Sequence, residues 1–145
     1  MTLNFIKFDP DAIVPTYGTP FAAGADLYAL PKGDILIKAG ETTLIHTGIA
    51  LQIPEGYAGF IFARSGIATK RGLAPANKVG VIDSDYRGEI MVSIHNHSTS
   101  SQIIASGERV AQLVIMPYTK AEFTECETLE KTDRAEGGFG STGTK

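Results

Sequence analysis

Hydrophobic and polar residues alternate along most of this chain, in short runs that are rich in β-branched and aromatic residues. Alternation with a period of two is typical of a strand that buries one of its faces. The alternating hydrophobic positions are Ile35 and Ile37, then Ile49, Leu51 and Ile53, then Phe60 and Phe62, then Ile90, Val92 and Ile94, and finally Val110 and Leu113. Turn-forming residues close these runs, as in "PKGD", "PEG", "HNHSTS" and "SGE". The pattern predicts an all-β sandwich or barrel.

Helical patterns are scarce in the same chain. The best candidate is "SGIATKRG", where Ser65 can cap a turn or two of helix before Gly72 ends it. After about Tyr118 the hydrophobic residues thin out, and "ECETLEKTDRAEGGFGSTGTK" mixes charge with glycine. We therefore predict one all-β domain over residues 1–118, with at most one short helix, and an extended C-terminal arm over residues 119–145.

The composition narrows the class of protein. A length of 145 residues suits one domain with a hydrophobic core of its own. The net charge of -3 disfavours general binding to nucleic acid, and Cys126, the only cysteine, cannot form an intrachain disulfide. The first residues lack the pattern of a signal peptide, and no apolar run has the length of a membrane span. We expect a cytoplasmic protein, or one inside a host cell if it is viral, without a stable nucleic-acid or membrane partner.

The densest group of chemically active residues is "NKVGVIDSDYRGE", residues 77–89. We expect a strand, a tight hairpin and a return strand here, because Asp, Ser and Gly follow the apolar run. If the segment stays extended, Asp83 and Asp85 share a face and suit a metal or a general base; if it turns at Ser84, they diverge. That the two aspartates only stabilise the turn is an alternative that spacing alone leaves open.

Two other segments have residues that suit phosphate. In "ARSGIATKRG" a guanidinium, that of Arg64, stands beside the backbone N–H groups of a possible helix start at Ser65. The end of the chain, "GGFGSTGTK", fits the spacing G-x-G-x-x-G, but too few residues follow for the helix of a dinucleotide-binding fold. A solvated helix cap and a disordered glycine-rich end are the simpler alternatives.

Other candidate motifs are weaker. His95 and His97 would share one face of a strand, yet two histidines without a third ligand are more often surface residues than a zinc site. The chain has no G-x-x-x-x-G-K-[ST] segment and no H-x-E with P-C-x-x-C, which removes the usual P-loop NTPases and the zinc nucleobase deaminases.

Five segments, taken in order, resemble the motifs of the trimeric dUTP diphosphatases. They are "AGADLYA" (residues 23–29), "ARSGIATKRG" (63–72), "GVIDSDYRGE" (80–89), "GERVAQLVI" (107–115) and "RAEGGFGSTG" (134–143). The resemblance implies an all-β jelly roll that forms a homotrimer, with three active sites between subunits and the arm docked on a neighbour. It also implies the hydrolysis of dUTP to dUMP and pyrophosphate with Mg²⁺, which limits uracil in DNA and supplies dUMP for dTMP synthesis.

The same resemblance implies roles for single residues. Asp83 would orient and deprotonate the water that attacks the α-phosphorus. Uracil and deoxyribose would be bound by Asn77, Gly80, Val81, Ile82, Tyr86, Met91 and Phe139. The phosphates would be bound by Arg64, Ser65, Gly66, Gln112, Arg134, Gly140, Ser141 and Thr142. Asp26 would contact the magnesium ion through a water molecule.

The chain departs from the family pattern at two positions. Ala63 stands where a proline is common, and Ala135 stands where a glycine is common, so Ala135 would slightly stiffen the arm. Two rival functions remain open at this point. A dCTP deaminase would need a glutamate acting as acid and base near the pyrimidine, where this chain has the Asp-Ser-Asp-Tyr set. A regulator would bind dUTP in order to control a protein partner.

Overall fold

The computed structural model describes residues 1–138, which form twelve short strands and one helix. The strands are β1 (Asn4–Lys7), β2 (Thr16–Tyr17), β3 (Ala25–Tyr28), β4 (Ile35–Ile37), β5 (Thr42–His46), β6 (Ile49–Gln52), β7 (Tyr57–Phe62), β8 (Leu73–Pro75), β9 (Gly80–Ile82), β10 (Met91–Asn96), β11 (Gln102–Ile104) and β12 (Arg109–Pro117), and the helix is α1 (Ser65–Arg71). The predicted all-β class with one short helix is confirmed. In residues 1–138 no helix has the length and apolar character that crossing a membrane requires.

The strands pair antiparallel in four sheets that together make a jelly-roll-like sandwich. The largest sheet has the order β2-β3-β12-β7-β9, and a second has the order β5-β10-β8. Two-stranded sheets, β1 with β6 and β4 with β11, complete the sandwich. Because β9 is the last strand of the five-stranded order, one edge of its backbone faces away from the sheet.

The core consists mainly of isoleucine, valine and leucine from the alternating runs. Strand β10 shows the predicted period, since Val92 and Ile94 are buried while Met91, Ser93 and His95 are only half-buried. Burial of such side chains away from water is the main favourable contribution to folding. In β7 the residues Gly59 and Ile61 lie on the buried face, whereas Phe60 and Phe62 lie on the opposite face and are only half-buried. These phenylalanines therefore alternate as predicted without reaching the core of the single chain.

Strand β12 departs from a strict period of two. Its register with β3 shifts between Arg109 and Ala111, as at a β-bulge. A bulge adds one residue to one strand, so the faces of the side chains change across it. Val110 and Leu113 are both fully or nearly buried although they are three residues apart, and the shift accounts for this spacing.

Helix α1 has its N-cap one residue earlier than the sequence predicts. Arg64 occupies the N-cap position, with φ -87° and ψ 126°, and makes no capping side-chain hydrogen bond. The prediction that Ser65 caps the helix is wrong, because Ser65 is already its first residue. The predicted end is confirmed: Gly72 adopts a left-handed conformation, with φ 68°. A methyl group there would also lie 2.9 Å from the backbone nitrogen of Ser98. Both the left-handed backbone and the close approach of Ser98 therefore favour glycine at this position.

The predicted hairpin between β9 and β10 is wrong in its pairing. Strand β9 pairs with β7, whereas β10 pairs with β5 and β8. The tight turn itself is present, because the Tyr86 N–H donates to the Asp83 carbonyl at 3.2 Å. The chain therefore turns between β9 and β10 but passes from one sheet to the other.

Beyond β12 the described chain has no further helix or strand up to Gly138. Residues 118–136 are exposed throughout. Close to the end of the described range lies a turn, in which the Gly137 N–H donates to the Arg134 carbonyl at 2.9 Å. Ala135 has a φ of 44° in this turn, a left-handed conformation that glycine adopts at lower cost. The division into a domain and an arm at residue 118 remains a prediction.

Candidate active site

Two adjoining clefts lie around the turn that follows β9. The larger, about 230 Å³, includes Asp83, Tyr86 and Glu89 in its lining. The smaller, about 100 Å³, includes Asn77 and Gly80. Both are lined by Val81, Ile82 and Met91. The structure thus brings together seven residues that were predicted from the sequence: Asn77, Gly80, Val81, Ile82, Asp83, Tyr86 and Met91.

The backbone before β9 is shaped to form the smaller cleft. Lys78 has a φ of 66°, and the Val79 N–H donates to the Asn77 carbonyl at 2.7 Å, so the chain reverses sharply before the strand begins. At Gly80 a methyl group would lie 3.2 Å from Ile61 Cβ, which is close enough to push β9 away from β7. Glycine at position 80 therefore lets β9 pack tightly against β7. The free backbone edge of β9 stays beside the cleft.

The Tyr86 ring is fixed by the residues that follow it. Its hydroxyl donates to the backbone carbonyl of Glu89 at 2.9 Å. The ring lies so close to Gly88 that a methyl group on Gly88 would be 2.6 Å from Tyr86 Cζ. Only glycine at position 88 leaves room for the ring in this orientation.

Asp83 stands at the start of the turn and lines a cleft on each side of it. It lines the larger cleft with Tyr86, and it also lines a third cleft, together with Asp85 and Lys120, on the other side of the turn. Its side chain is exposed, as that of a carboxylate must be if it is to meet a water and a substrate. The chain turns at Ser84, so the extended alternative, in which Asp83 and Asp85 share one strand face, is wrong.

Two predicted residues, Asp26 and Arg64, form a charged cluster with Arg109, which was not predicted. The Asp26 Oδ1 accepts from Arg64 Nε at 2.7 Å, and its Oδ2 accepts from Arg109 Nη1 at 3.1 Å. The Asp26 side chain is only 12% exposed, so water screens these ion pairs less than it would at the surface. The carboxylate holds two guanidinium groups side by side, which is a suitable arrangement for binding an anion of higher charge.

Gln112 lies at the same level of the sheet as Asp26. The register places Gln112 opposite Asp26 of β3 and opposite Phe62 of β7. Its Nε2 donates to the Ala63 carbonyl at 2.9 Å, and a methyl group on Gly24 would be 2.5 Å from its Oε1. The amide is therefore held beside the chain that leads to Arg64, and Gly24 makes the space for it.

Within one chain these two groups of residues are far apart. Ile82 pairs with Gly59, which places Asp83 opposite Ala58, while Asp26 is level with Phe62 through Gln112. Four residues along a strand span roughly 13 Å, and the three strand spacings from β9 to β3 span roughly 14 Å. Ideal strand geometry thus places the Asp83 turn and the Asp26 cluster roughly 20 Å apart.

Comparison with known proteins connects this fold and these residues to one family. A family model described as dUTPase matches residues 10–143. The chain belongs to the dUTPase family. Its expected class, a dUTP diphosphatase, is thereby confirmed.

Curated members of the dUTPase family match over nearly the whole chain. A deoxyuridine 5'-triphosphate nucleotidohydrolase of Syntrophotalea carbinolica is 46% identical over 143 residues, covering 99% of this chain and 97% of that protein. The enzyme of the same name from Nautilia profundicola is 48% identical, with 99% of each chain covered.

Solved dUTPase structures share the fold. A mutant of the Staphylococcus bacteriophage 80alpha dUTPase, with dUpNHpp, superposes with a TM-score of 0.89 at 29% identity and covers 98% of both chains. A mutant dUTPase from phage phi11 of S. aureus, described with a structural Mg(II) ion, has a TM-score of 0.81 at 25% identity and covers 90% of this chain and 100% of that one.

The described residues of this dUTPase do not form a cage for a metal. In residues 1–138 no group of three or more His, Cys, Asp or Glu side chains is placed to hold an ion. Both Asp26 oxygens already accept from guanidinium groups, but each carboxylate oxygen has a second lone pair. Since magnesium keeps several of its waters, a contact through water is the form of metal binding that Asp26 fits.

The remaining predicted residues lie elsewhere in this dUTPase. Ser65 and Gly66 are the first two residues of α1 and follow Arg64 directly. Arg134 is in the turn near the end of the described chain, where its Nε donates to the Gly137 carbonyl at 2.9 Å. Four further predicted residues, Phe139, Gly140, Ser141 and Thr142, lie outside the described residues.

The histidine pair of the sequence lies at the end of β10. The rings of His95 and His97 meet edge to face with centroids 4.4 Å apart, and Thr42 Oγ1 lies 2.8 Å from His95 Nδ1. Desolvation lowers the pKa of His97, and the nearby His95 and Lys78 lower it further. Among residues 1–138 the pair has no third ligand of the kind a zinc site needs.

Sequence reasoning missed three residues that shape the site. Arg109, Gly88 and Glu89 all stand inside the segments that resemble the family, but Gly88 was expected only as a turn residue and no role was expected for the other two. Nothing local in the sequence connects Arg109 with Asp26, which is 83 residues away. The contact between Gly88 and Tyr86 had one local signal in the sequence, a glycine two positions after a tyrosine.

Proposed function

We propose that this protein hydrolyses dUTP to dUMP and pyrophosphate by activating a water that attacks the α-phosphorus. The observation that carries the proposal is the pair of adjoining clefts, which gathers seven of the predicted residues around Asp83. The curated relatives are named for the same reaction, and one of the similar structures contains dUpNHpp. The reaction would limit the incorporation of uracil into DNA and supply dUMP for dTMP synthesis. We expect it to take place in the cytoplasm.

The smaller cleft suits a uracil base. Strand β9 is the end strand of its sheet, so the backbone edge of Gly80, Val81 and Ile82 is available to a ligand. Backbone N–H and C=O groups along such an edge read the alternating acceptors and donor of the uracil ring as they would read a neighbouring strand. Asn77 would add an amide and Met91 an apolar wall, and the small volume of the cleft, about 100 Å³, favours uracil over the bulkier thymine.

The larger cleft suits the sugar and the α-phosphate. Tyr86 would pack beneath the deoxyribose and exclude a ribose 2′-hydroxyl by its bulk. Asp83 stands on the same cleft, where its carboxylate would take a proton from the attacking water. A positioned general base contributes on the order of 10²–10⁴ in rate when it lies within hydrogen-bond distance of that water.

The phosphate-binding residues would come from another copy of the chain. The Asp83 turn and the Asp26 cluster, which includes Arg64, are roughly 20 Å apart, whereas a hydrogen bond between a guanidinium and a phosphate spans only about 2.7–2.9 Å. A site between two subunits would bring both groups to one nucleotide. The Asp83 turn of one subunit would meet four residues of a neighbouring subunit: Arg64, Ser65, Gly66 and Gln112. Closed rotational symmetry repeats such a contact around a ring, and the homotrimer that we propose has three such sites between subunits.

The C-terminal arm would complete the site. Arg134, Gly140, Ser141 and Thr142 would bind the β- and γ-phosphates, and Phe139 would stack on the uracil. Stacking of an aromatic ring on a base contributes about 1–3 kcal/mol. An arm without a core of its own is consistent with this role, since residues 118–136 are exposed in the single chain.

Magnesium would enter with the nucleotide. When bound, it neutralises the charge of the phosphates and of the leaving pyrophosphate. Asp26 would hold it only through water, and the principal function of Asp26 in this chain is to orient Arg64 and Arg109.

The test is a product profile with dUTP, dTTP, UTP and dCTP, each with and without magnesium. We expect dUMP and pyrophosphate from dUTP with magnesium, and little product from the other three. Formation of dUTP or dUMP from dCTP would instead indicate a deaminase. Tight binding of dUTP without turnover would indicate a regulator.

A further inference from the structure

Glu89 connects the Tyr86 ring to the turn between β5 and β6. We infer that Glu89 is a positioning residue that sets the selectivity for deoxyribose over ribose. This inference rests on the proposed function, in which Tyr86 packs beneath the sugar.

The Glu89 carboxylate is fixed at both of its oxygens. Oε1 accepts from the Gly48 N–H at 2.7 Å, and Oε2 lies 2.8 Å from His46 Nδ1. The Glu89 side chain is only 20% exposed, so water competes weakly for these hydrogen bonds. One acidic side chain therefore attaches the end of the Asp83 turn to residues 46–48.

The next residue strengthens the same attachment. The Ile90 N–H donates to the Ile49 carbonyl at 2.8 Å, and the Ile90 carbonyl accepts from the Thr47 hydroxyl at 2.6 Å. Residues 89 and 90 are thus held at four points by one short stretch of chain. Truncating the Glu89 side chain would remove two of these four contacts and leave the fold its other two.

Tyr86 depends directly on this attachment. Its hydroxyl donates to the Glu89 carbonyl at 2.9 Å, and its ring lies against Gly88. The ring cannot retreat from the sugar unless residues 88 and 89 move with it. A ribose 2′-hydroxyl fits only if the ring moves, whereas deoxyribose fits without such a movement. A rigid attachment therefore disfavours the binding of UTP more than the binding of dUTP.

The experiment compares kcat and KM for dUTP and UTP in several variants. We expect Glu89→Ala to lower the ratio of kcat/KM for dUTP to that for UTP by about five- to tenfold, the effect of one or two hydrogen bonds of ordinary net strength. Glu89→Gln should keep the ratio, because its amide oxygen can accept from Gly48 and its amide N–H can donate to His46. Glu55→Ala, in an exposed turn that lines neither cleft, is the matched control and should change neither constant.

A double-mutant cycle separates this role from a general loss of order. Tyr86→Phe removes the hydroxyl that contacts Glu89, so adding Glu89→Ala to it should lower the dUTP/UTP ratio little further. An equal further drop when Glu89→Ala is added to the Tyr86→Phe variant would overturn the inference, and so would an unchanged ratio in Glu89→Ala alone.

A weaker variant covers the case in which Glu89→Ala does not fold. His46→Ala removes one contact of the carboxylate from an exposed position, and we expect it to lower the ratio about two- to threefold. An unchanged ratio in that folded variant would overturn the inference. Absence of dUTP hydrolysis by the unchanged protein would refute the proposed function instead, so the two failures are distinguishable.

Discussion

The substitution Asp26→Asn distinguishes two roles for this carboxylate. In the structure Asp26 accepts from Arg64 Nε at 2.7 Å and from Arg109 Nη1 at 3.1 Å, and its side chain is 12% exposed. Asparagine keeps one acceptor oxygen, which can stay with Arg64, but it turns an N–H₂ group toward Arg109. The variant thus removes both ion pairs of Asp26, keeps one hydrogen bond to Arg64 and creates two facing donors at Arg109.

The size of the effect follows from the exposure of the two arginines. A hydrogen bond to a charged group contributes about 1.5–3 kcal/mol when it is shielded, and the Arg109 side chain is 49% exposed, which reduces its share. We expect the free energy of unfolding to fall by about 1–2 kcal/mol and Tm to fall by several degrees. A displacement of the Arg64 guanidinium by about 1 Å would lower kcat/KM for dUTP by roughly 10–100-fold.

The assay is a titration of dUTP hydrolysis with magnesium, at one protein concentration, beside a thermal melt. If Asp26 orients the arginines, saturating magnesium will not restore kcat/KM, and the magnesium concentration for half-maximal activity will be nearly unchanged. The control is Asp34→Asn, since the Asp34 carboxylate accepts only from the exposed Ser106 N–H among the described residues, and asparagine can do the same. Full recovery at high magnesium would refute our account and favour a metal contact as the main role.

Three further predictions concern the turn and the arm. Asp83→Asn should leave dUTP binding nearly intact, measured by calorimetry, while kcat falls by about 10² or more; near-normal turnover would remove Asp83 from its role. Deleting residues 137–145 should leave the assembly unchanged in light scattering and severely impair hydrolysis, and full activity in the truncated protein would exclude closure by the arm. Ala135→Gly should lower KM for dUTP by up to about fivefold, because it relieves a left-handed alanine with a φ of 44° at a cost of roughly 1 kcal/mol; a KM that rises would show that the turn is not used on binding.

The strands and their buried faces were largely predictable from local sequence. Alternation at Val92 and Ile94 depends only on the period of a strand, so the prediction held wherever a run buried one face. It was incomplete at Phe60 and Phe62, because the face they share is only half-buried in the single chain. The end of α1 at Gly72 was predictable for a local reason too, since the left-handed residue that ends a helix is usually glycine.

The site was predictable only in part. The segment around Asp83 indicated the residues that line the larger cleft, because they are close in sequence and the turn keeps them close in space. The partners of Asp26 were not predictable, since Arg64 and Arg109 are 38 and 83 residues away and meet it only when β3, β7 and β12 pair. The contact of Glu89 with His46 and Gly48 has the same origin.

By itself, the sequence determined that this chain is an all-β enzyme of the dUTPase family, with a carboxylate turn and a second, basic segment. Tertiary structure decided that β9 leaves β10 and joins β7, which opens a free backbone edge toward the clefts. It also decided that the Asp83 turn and the Asp26 cluster lie roughly 20 Å apart, a separation set by strand rise and strand spacing. The physical reason is that local preferences choose the strands, whereas the choice of partners depends on which faces can be buried together.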